Sequence, residues 1–488
     1  MTNFIRFTAG FIRHSSQFLQ HWLTFREVTV IHFNGETNTF SLILSRSHYV
    51  MQVDSNGRLR HLAWGLRPTD AAAGDLIDGK TWYEHGNFAT MEQQARPDEF
   101  ITFGDVSYHE VSLKANFATL PQTMQTYESP LLPIRDVRLV YVDHDIVTNA
   151  APGFAPTHGL ETAVITPRET LRIHLEDPVQ PLRVTLCYRP TPEHDIIERW
   201  CELQNVGAVP IEIEQLYWGT WHLPNGRYEL TSVSGGWARE FMTERTLLPV
   251  GMHILEHRTM QTGHQTNPFF MLNRPGQAWE ETGVVYFGQL AYSGAWRLSF
   301  ESLHNLNMRI HGGYNPVDFR LELTPGETHK TPAMIGGVSD SGWGGASRRL
   351  HAHLCERILP QPPQLPPLRP VLYNSWEATY FALSEQGQMA LAQKAADIGV
   401  ELFCVDDGWF GGRRYDAAGL GDWVVSKDVF PNGLRPLIDE VHRLGMKFGL
   451  WVEPEMVNAD SELYRAHPDW ILHFPGRERT EYRNQLML

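Results

Sequence analysis

The sequence predicts a multidomain β plus α/β chain: a large antiparallel β-sandwich followed by an incomplete (β/α)8 barrel. Three observations predict it. From about Val28 to Ala346, short period-two runs follow one another without helical periodicity between them. A proline-dense stretch, Leu359-Pro360-Gln361-Pro362-Pro363-Gln364-Leu365-Pro366-Pro367, then interrupts the chain. Beyond it, near-continuous apolar runs alternate with helical patterns as far as Leu488.

Residues 1–28 read as an N-terminal extension. Arg6, Arg13 and Arg26 are scattered among Phe, Ile and Leu, and the break at Arg13-His14-Ser15-Ser16 leaves no apolar core of signal-peptide length. Residues 29–346 carry the sandwich. In Leu171-Arg172-Ile173-His174-Leu175 apolar and polar residues alternate, and Leu182, Val184, Leu186 and Tyr188 share one face. Ile211-Glu212-Ile213 and Phe319-Arg320-Leu321-Glu322-Leu323 repeat the pattern of strands with one buried side. Turn clusters such as Asp54-Ser55-Asn56-Gly57 and Leu223-Pro224-Asn225-Gly226 punctuate the runs. Residues 347–369 form a helix, expected over 347–358, and then the proline-rich linker, since proline can continue neither helix nor central strand.

Residues 370–488 read as the first part of a barrel. Val371-Leu372-Tyr373, Leu402-Phe403-Cys404-Val405 and Phe448-Gly449-Leu450-Trp451-Val452 have the all-apolar character of strands buried on both faces. Ser384 caps a helix with Leu391, Ala395 and Ile398 on one stripe and Gly399 at its end. Leu434, Leu437, Ile438, Val441 and Leu444 keep helical spacing, which Gly445 closes. Asp460-Ser461 starts a third helix, Pro468 stops it, and a fourth strand is expected to begin at Gln485.

Composition narrows the function. The net charge of −15, without any Lys/Arg run, argues against nucleic acid and anionic membrane as partners and suits a neutral ligand. Aromatic residues make up 11%, with 15 Trp; most such rings fill cores, but a flat ring that also donates a hydrogen bond suits a sugar face. Cys187, Cys201, Cys355 and Cys404 show neither metal-ligand spacing nor the density of a secreted scaffold, so a reducing cytoplasm is the expected setting.

Functional side chains of a (β/α)8 enzyme gather at the C-terminal ends of its strands. Asp406-Asp407, Trp451, Glu453 and Glu455 all fall there. Adjacent carboxylates beside tryptophans fit hydrogen bonding to sugar hydroxyls, or acid/base glycoside hydrolysis. On spacing alone Asp406-Asp407-Gly408 fits an acidic turn after a strand equally well, and Arg483 fits an ordinary surface arginine.

The run from Tyr373-Asn374-Ser375-Trp376-Glu377 through Asp406-Asp407-Gly408-Trp409, Gly421-Asp422-Trp423, Trp451–Met456 and Arg483-Asn484-Gln485 closely resembles the α-galactosidases of glycoside hydrolase family 36. Looser matches at Trp237-Ala238-Arg239-Glu240 and Asn267-Pro268-Phe269 extend the likeness over roughly Thr39 to Leu488. The resemblance implies a retaining enzyme that removes terminal α-galactose, as from melibiose and raffinose, by double displacement through a galactosyl-aspartate, with no metal, nucleotide or other cofactor. It implies that Asp406 and Asp407 grip the galactose hydroxyls, that Trp451 walls the subsite, and that Arg483 contacts sugar or steadies the nucleophile strand. It further implies that Trp237 reaches a neighbouring protomer's site in a homo-oligomer, a tetramer by family analogy; an ordinary core tryptophan is the competing reading. The family's acidic sugar contact in this half has no clear counterpart near Tyr83-Glu84-His85.

The family's nucleophile lies in a Lys-Trp-Asp motif, which these 488 residues do not contain. The expectation is therefore a chain that recognises the galactose but holds no catalytic residue and is inactive alone. A whole barrel needs about 250 residues, so the sequence reads as the front of a longer enzyme. A non-catalytic galactoside-binding or scaffold protein is the alternative of another class. An α-N-acetylgalactosaminidase or a galactosyl transferase is the alternative within the clan.

Overall fold

A computed structural model describes residues 30–67, 97–105, 109–117, 134–148, 168–303, 307–359 and 369–488. The extension 1–28, Tyr83-Glu84-His85 and the prolines 360–367 of the linker lie outside the described residues. The chain divides into two compact units, Met1–Gln361 and Pro362–Leu488.

In the first unit the period-two runs pair as antiparallel strands. Leu171, Ile173 and Leu175 face Tyr188, Leu186 and Val184 across the ladder, and all six are buried. Cross-strand apolar pairs of this kind are the unit of sheet stabilisation. A ten-stranded sheet runs from Arg239–Leu247 at one edge to Val140–Thr148 at the other. A six-stranded sheet includes Gly251–His257, Trp296–Ser302, Met308–Tyr314 and Ile211–Leu223. A four-stranded meander spans Ile31 to Leu66. Residues of all three sheets form one apolar cluster around Trp218, Trp221 and Trp296. Burying each Leu or Ile here contributes about 1.5–3 kcal/mol. The sheets approach so closely that a Cβ at Gly219 would run into Met334.

One polar knot sits inside this core. Arg199 and Glu99 pair at 2.6 Å with both side chains fully buried. Tyr49 and Tyr188 each donate a hydroxyl to the Glu99 carboxylate at 2.7 Å, and His61 Nδ1 lies 3.3 Å from it. Burial would raise the Glu99 carboxyl; Arg199 and His61 outweigh it and hold the group down at about 2. The Arg199 Nη groups also donate to the Thr220 and Glu99 carbonyls, which offsets part of the cost of burying the pair, while Arg199 Nε finds no partner among the described residues.

A helix, Gly342–His353, continues through one wider turn, Leu354–Ile358. It begins five residues before the expected 347. Gly342, Gly344 and Gly345 are weak helix formers, yet the helix needs them: Gly342 has φ +66 and a Cβ there would strike the Trp279 carbonyl. Trp237 is not a core residue. It lies in the two-residue loop of the hairpin Glu229–Gly236/Arg239–Leu247 and is 87% exposed. All four cysteines are free; burial of Cys187 and Cys201 pushes their thiols up, Cys201 to about 12.

The second unit carries three parallel strands in the order Leu372–Asn374, Leu402–Val405, Lys447–Leu450. The Ser384 hydroxyl accepts from Gly387 N–H at 3.1 Å and caps the helix Glu385–Asp397. That helix turns Gln388, Ala392 and Ala395 inward, so the expected stripe is displaced: Ile398 is 81% exposed. Ile398 is the cap residue, already past the last helical turn. The helix Arg435–Arg443 buries Leu437 and Val441 against Phe403 and Val405. Gln485–Met487 is not a fourth parallel strand. It pairs antiparallel with Met456–Val457 and with Glu481–Tyr482 in a small separate sheet. Among the described residues no helix is long and apolar enough to cross a membrane.

Candidate functional site

The middle strand, Leu402–Val405, is paired on both sides, so its C-terminal tip is the best-fixed point of the second unit. Asp406 and Asp407 follow it and are only 8% and 5% exposed. Gly408 then takes φ +100 and turns the chain. Asp406 is held by the neighbouring strand. Its N–H donates to Ser375 Oγ at 2.9 Å, and its Oδ2 accepts from Asn374 Nδ2. Its Oδ1 accepts from Asp407 N–H at 2.7 Å.

Asp407 is held differently. Arg413 Nε donates to Oδ1 at 2.9 Å and Arg413 Nη2 to Oδ2 at 2.8 Å, with Arg413 itself 2% exposed. This is a side-on, bidentate, buried pair, the strongest form of the contact. Arg413 Nη1 is satisfied in turn by the carbonyls of Asp416 and Ala418 and by Asn458 Oδ1 at 2.9 Å. The two carboxylates are therefore unlike. Asp407 has its charge balanced by a guanidinium, whereas among the described residues no Lys or Arg is seen paired with Asp406. Both Asp406 oxygens and Asp407 Oδ1 accept one hydrogen bond each and keep a lone pair for a ligand hydroxyl, whereas Asp407 Oδ2 already accepts from both Arg413 Nε and Nη2.

Arg483 lies in the two-residue turn joining Glu481–Tyr482 to Gln485–Met487. Arg483 has φ 52 and Asn484 φ 59, the left-handed pair of a primed hairpin turn. A non-glycine residue there is strained, and such strain gathers at functional positions. Asn458 Nδ2 donates to the Asn484 carbonyl at 2.8 Å and so anchors this turn. Glu453 is half-buried, and its carboxyl is pushed up by burial and by Glu455; Arg483, Arg413 and Asp407 are close enough to act on it too. Asp407, Glu453 and Arg483 thus belong to one electrostatic neighbourhood.

Tryptophans line the same strand ends. Trp451 N–H donates to the Val405 carbonyl at 3.0 Å, continuing the ladder past Leu450. Trp409 Nε1 donates to the Trp451 carbonyl at 2.9 Å. Trp423 lies between them, 6.3 Å from Trp409 and 6.4 Å from Trp451, ring centre to ring centre. Trp376 is half-buried and packs edge-on to Phe381 at 5.1 Å. Half-buried indoles beside carboxylates offer a flat apolar wall with hydrogen-bonding groups at its rim, the surface a hexose requires.

The structure brings Asp406, Asp407, Trp451 and Arg483 into one unit. Trp237 lies in the other, at the exposed hairpin tip. Sequence reasoning missed Arg413 and Asn458. The signal for Arg413 was present: Arg413-Arg414 follow two carboxylates by six residues and must find a partner if buried. Nothing local marked Asn458. Among the described residues no group of three or more His, Cys, Asp or Glu is arranged to hold a metal ion.

Comparison with known proteins bears on what this arrangement does. The family model described as Glycosyl hydrolase family 36 N-terminal domain matches residues 57–324, and the Melibiase model matches residues 328–488. Alpha-galactosidase AgaA of Geobacillus stearothermophilus is 35% identical over 461 residues, covering 93% of this chain and 61% of that protein. Alpha-galactosidase C of Emericella nidulans is 38% identical over 363 residues, 72% of this chain and 48% of its own length. The crystal structure of AgaB, a GH36 alpha-galactosidase from Geobacillus stearothermophilus, has a TM-score of 0.79 at 34% identity and covers 94% of this chain and 61% of its own. An AgaA variant solved with raffinose has a TM-score of 0.78 at 32% identity, covering 92% of this chain and 61% of its own. The chain thus spans about half to three fifths of the length of these relatives.

Proposed function

The chain belongs to glycoside hydrolase family 36, and from that membership we propose that it carries the galactose-recognition part of an α-galactosidase. The reaction served is the retaining hydrolysis of terminal α-D-galactose from galactosides such as raffinose and melibiose. The observation that carries the reading is the pair Asp406-Asp407 at the tip of the central strand, buried, with every carboxylate oxygen already aligned by a partner. Two fixed acceptors side by side suit two neighbouring hydroxyls, and the axial O4 and the O6 of galactose lie on one side of the ring. Each charge-assisted hydrogen bond there contributes on the order of 1.5–3 kcal/mol. Trp451 supplies the apolar wall and Arg483 a cation at the opposite rim. A relative of this chain, AgaA, has been crystallised with raffinose.

We propose further that the protein acts as a homo-oligomer in which Trp237 serves a neighbouring protomer's site. In its support, the hairpin tip and its outer strand expose Trp237, Phe241, Met242 and Leu247 together. A reducing cytoplasm is the proposed setting, on the cysteine pattern alone.

Calorimetric titration of the chain with galactose and with glucose tests the reading. Galactose is expected to bind and glucose to bind at least roughly tenfold more weakly, one lost charged hydrogen bond being worth that much. Asp406→Asn is expected to remove most of the difference. Equal binding of the two sugars, or a preference that survives Asp406→Asn, defeats it.

A further inference from the structure

We propose that Asn458 is a positioning residue of the glycone site, one that fixes the Arg483 turn relative to Asp407; the proposal rests on the reading of this site given above. Asn458 follows the short strand Met456–Val457 and is 0% exposed. A side-chain amide can donate twice and accept twice, and this one does all four. Its Oδ1 accepts from Arg413 Nη1 at 2.9 Å and from Leu420 N–H at 2.9 Å. Its Nδ2 donates to the Asp416 carbonyl at 3.1 Å and to the Asn484 carbonyl at 2.8 Å. Its own carbonyl accepts from the Ser461 hydroxyl at 2.9 Å, at the cap of the helix Glu462–Ala466.

These contacts make one continuous path. Asp407 is gripped by Arg413, Arg413 by Asn458, and Asn458 holds the backbone immediately after Arg483. The turn at Arg483 and Asn484 is strained, and a strained turn keeps its shape only when its surroundings over-determine it. The ladder Met456↔Met487 and Val457↔Leu486 sets the hairpin strand. The Asn458 amide extends that hold past the end of the ladder, to the turn itself. A group that satisfies Arg413 on one edge and the turn on the other sets the separation of the carboxylate and the guanidinium that face the sugar.

Asn458→Asp removes the arm to the Asn484 turn and at the same time sets a second carboxylate against Arg413 beside that of Asp407. The retained oxygen still accepts from Arg413 and Leu420, whereas the second oxygen replaces a donor and faces two carbonyls. The full chain, Asn458→Asp, Arg483→Ala and the double variant are titrated with galactose, with thermal melts run alongside. Each single change is expected to weaken binding roughly tenfold and the double change by little more, because coupled residues do not add. Independent action would multiply to roughly a hundredfold, and that result overturns the positioning role, as does a lowered melting temperature with unchanged galactose affinity. If Asn458→Asp does not fold, Asn458→Ser, which cannot reach both carbonyls, replaces it in the same cycle. Asp406→Asn is the control that separates the two claims. Loss of the galactose preference in Asp406→Asn with multiplicative effects at 458 and 483 overturns this inference alone; a preference that survives Asp406→Asn overturns the site reading and this inference with it.

Discussion

Replacing Asp407 by Asn should cost the second unit far more stability than the same change at Asp406, although the two residues are adjacent and similarly buried. Asp407→Asn leaves the Arg413 guanidinium, 2% exposed, without its counter-charge. Breaking one side of a buried ion pair costs about 3–5 kcal/mol. Arg413 keeps three further acceptors, the Asp416 and Ala418 carbonyls and Asn458 Oδ1, so the lower end applies, about 3 kcal/mol. Asp406→Asn gives up hydrogen bonds from neutral donors only, Asn374 Nδ2 and Asp407 N–H, at about 1 kcal/mol or less. It also relieves the burial of a carboxylate that no Lys or Arg is seen to balance among the described residues. For a unit of this size, a gap of about 2 kcal/mol moves a melting temperature by roughly 5–10 °C. Calorimetric scanning of the two variants reads it directly. The double variant Asp407→Asn with Arg413→Met, which removes both charges, should recover part of the loss, since replacing both members of a buried pair is far milder than orphaning one. Equal melting temperatures for Asp406→Asn and Asp407→Asn would refute the assigned asymmetry.

Two other outcomes follow from the first unit. The Glu99 carboxyl, held at about 2 against 4.5 unperturbed, contributes stability that is complete above pH 4.5 and lost as pH falls towards 2; melts of Glu99→Gln and the parent chain should therefore converge over that window, and a gap that does not change with pH counts against it. Trp237→Ala, at a site 87% exposed, should shift stability by no more than about 0.5 kcal/mol while weakening self-association in sedimentation velocity, and unchanged association removes Trp237 from any subunit contact.

The sequence made the strands legible where a single physical rule governs them. Leu171, Ile173 and Leu175 alternate because one side of their strand meets the core. Leu402–Val405 is apolar throughout, yet only Phe403 and Val405 are buried, Leu402 and Cys404 being half-buried and Leu372 on the neighbouring strand exposed, so the expected burial of both faces is not met among the described residues. Helix ends at Gly399 and Gly445 were legible through the left-handed backbone each adopts, φ 87 and φ 85. What escaped was decided at a distance. The helix at Gly342 starts on three poor helix formers because Trp279 and Glu280 crowd Gly342 and Gly344, and Ser339 and Ser341 crowd Gly345. Trp237 could fill a core or stand in solvent, and only the hairpin register decides. Gln485 pairs antiparallel because a two-residue turn precedes it. In the site, the carboxylates were visible as a motif, but the difference between them was not. It arises from Arg413, six residues on, and from Asn458, which meets that arginine only in the folded chain.

The immobility of Asp406 and Asp407 sets how selection must work here. Their rotamers are chosen before any ligand arrives, so neither sacrifices conformational freedom on binding, a saving of about 0.5–1.5 kcal/mol for each. The same stiffness has a second edge. A hexose whose hydroxyl points elsewhere meets acceptors that cannot swing to greet it, and it leaves buried lone pairs dry and unanswered. If Asp406 and Asp407 hold galactose as proposed, discrimination by this strand tip is refusal of the wrong stereochemistry rather than added affinity for the right one.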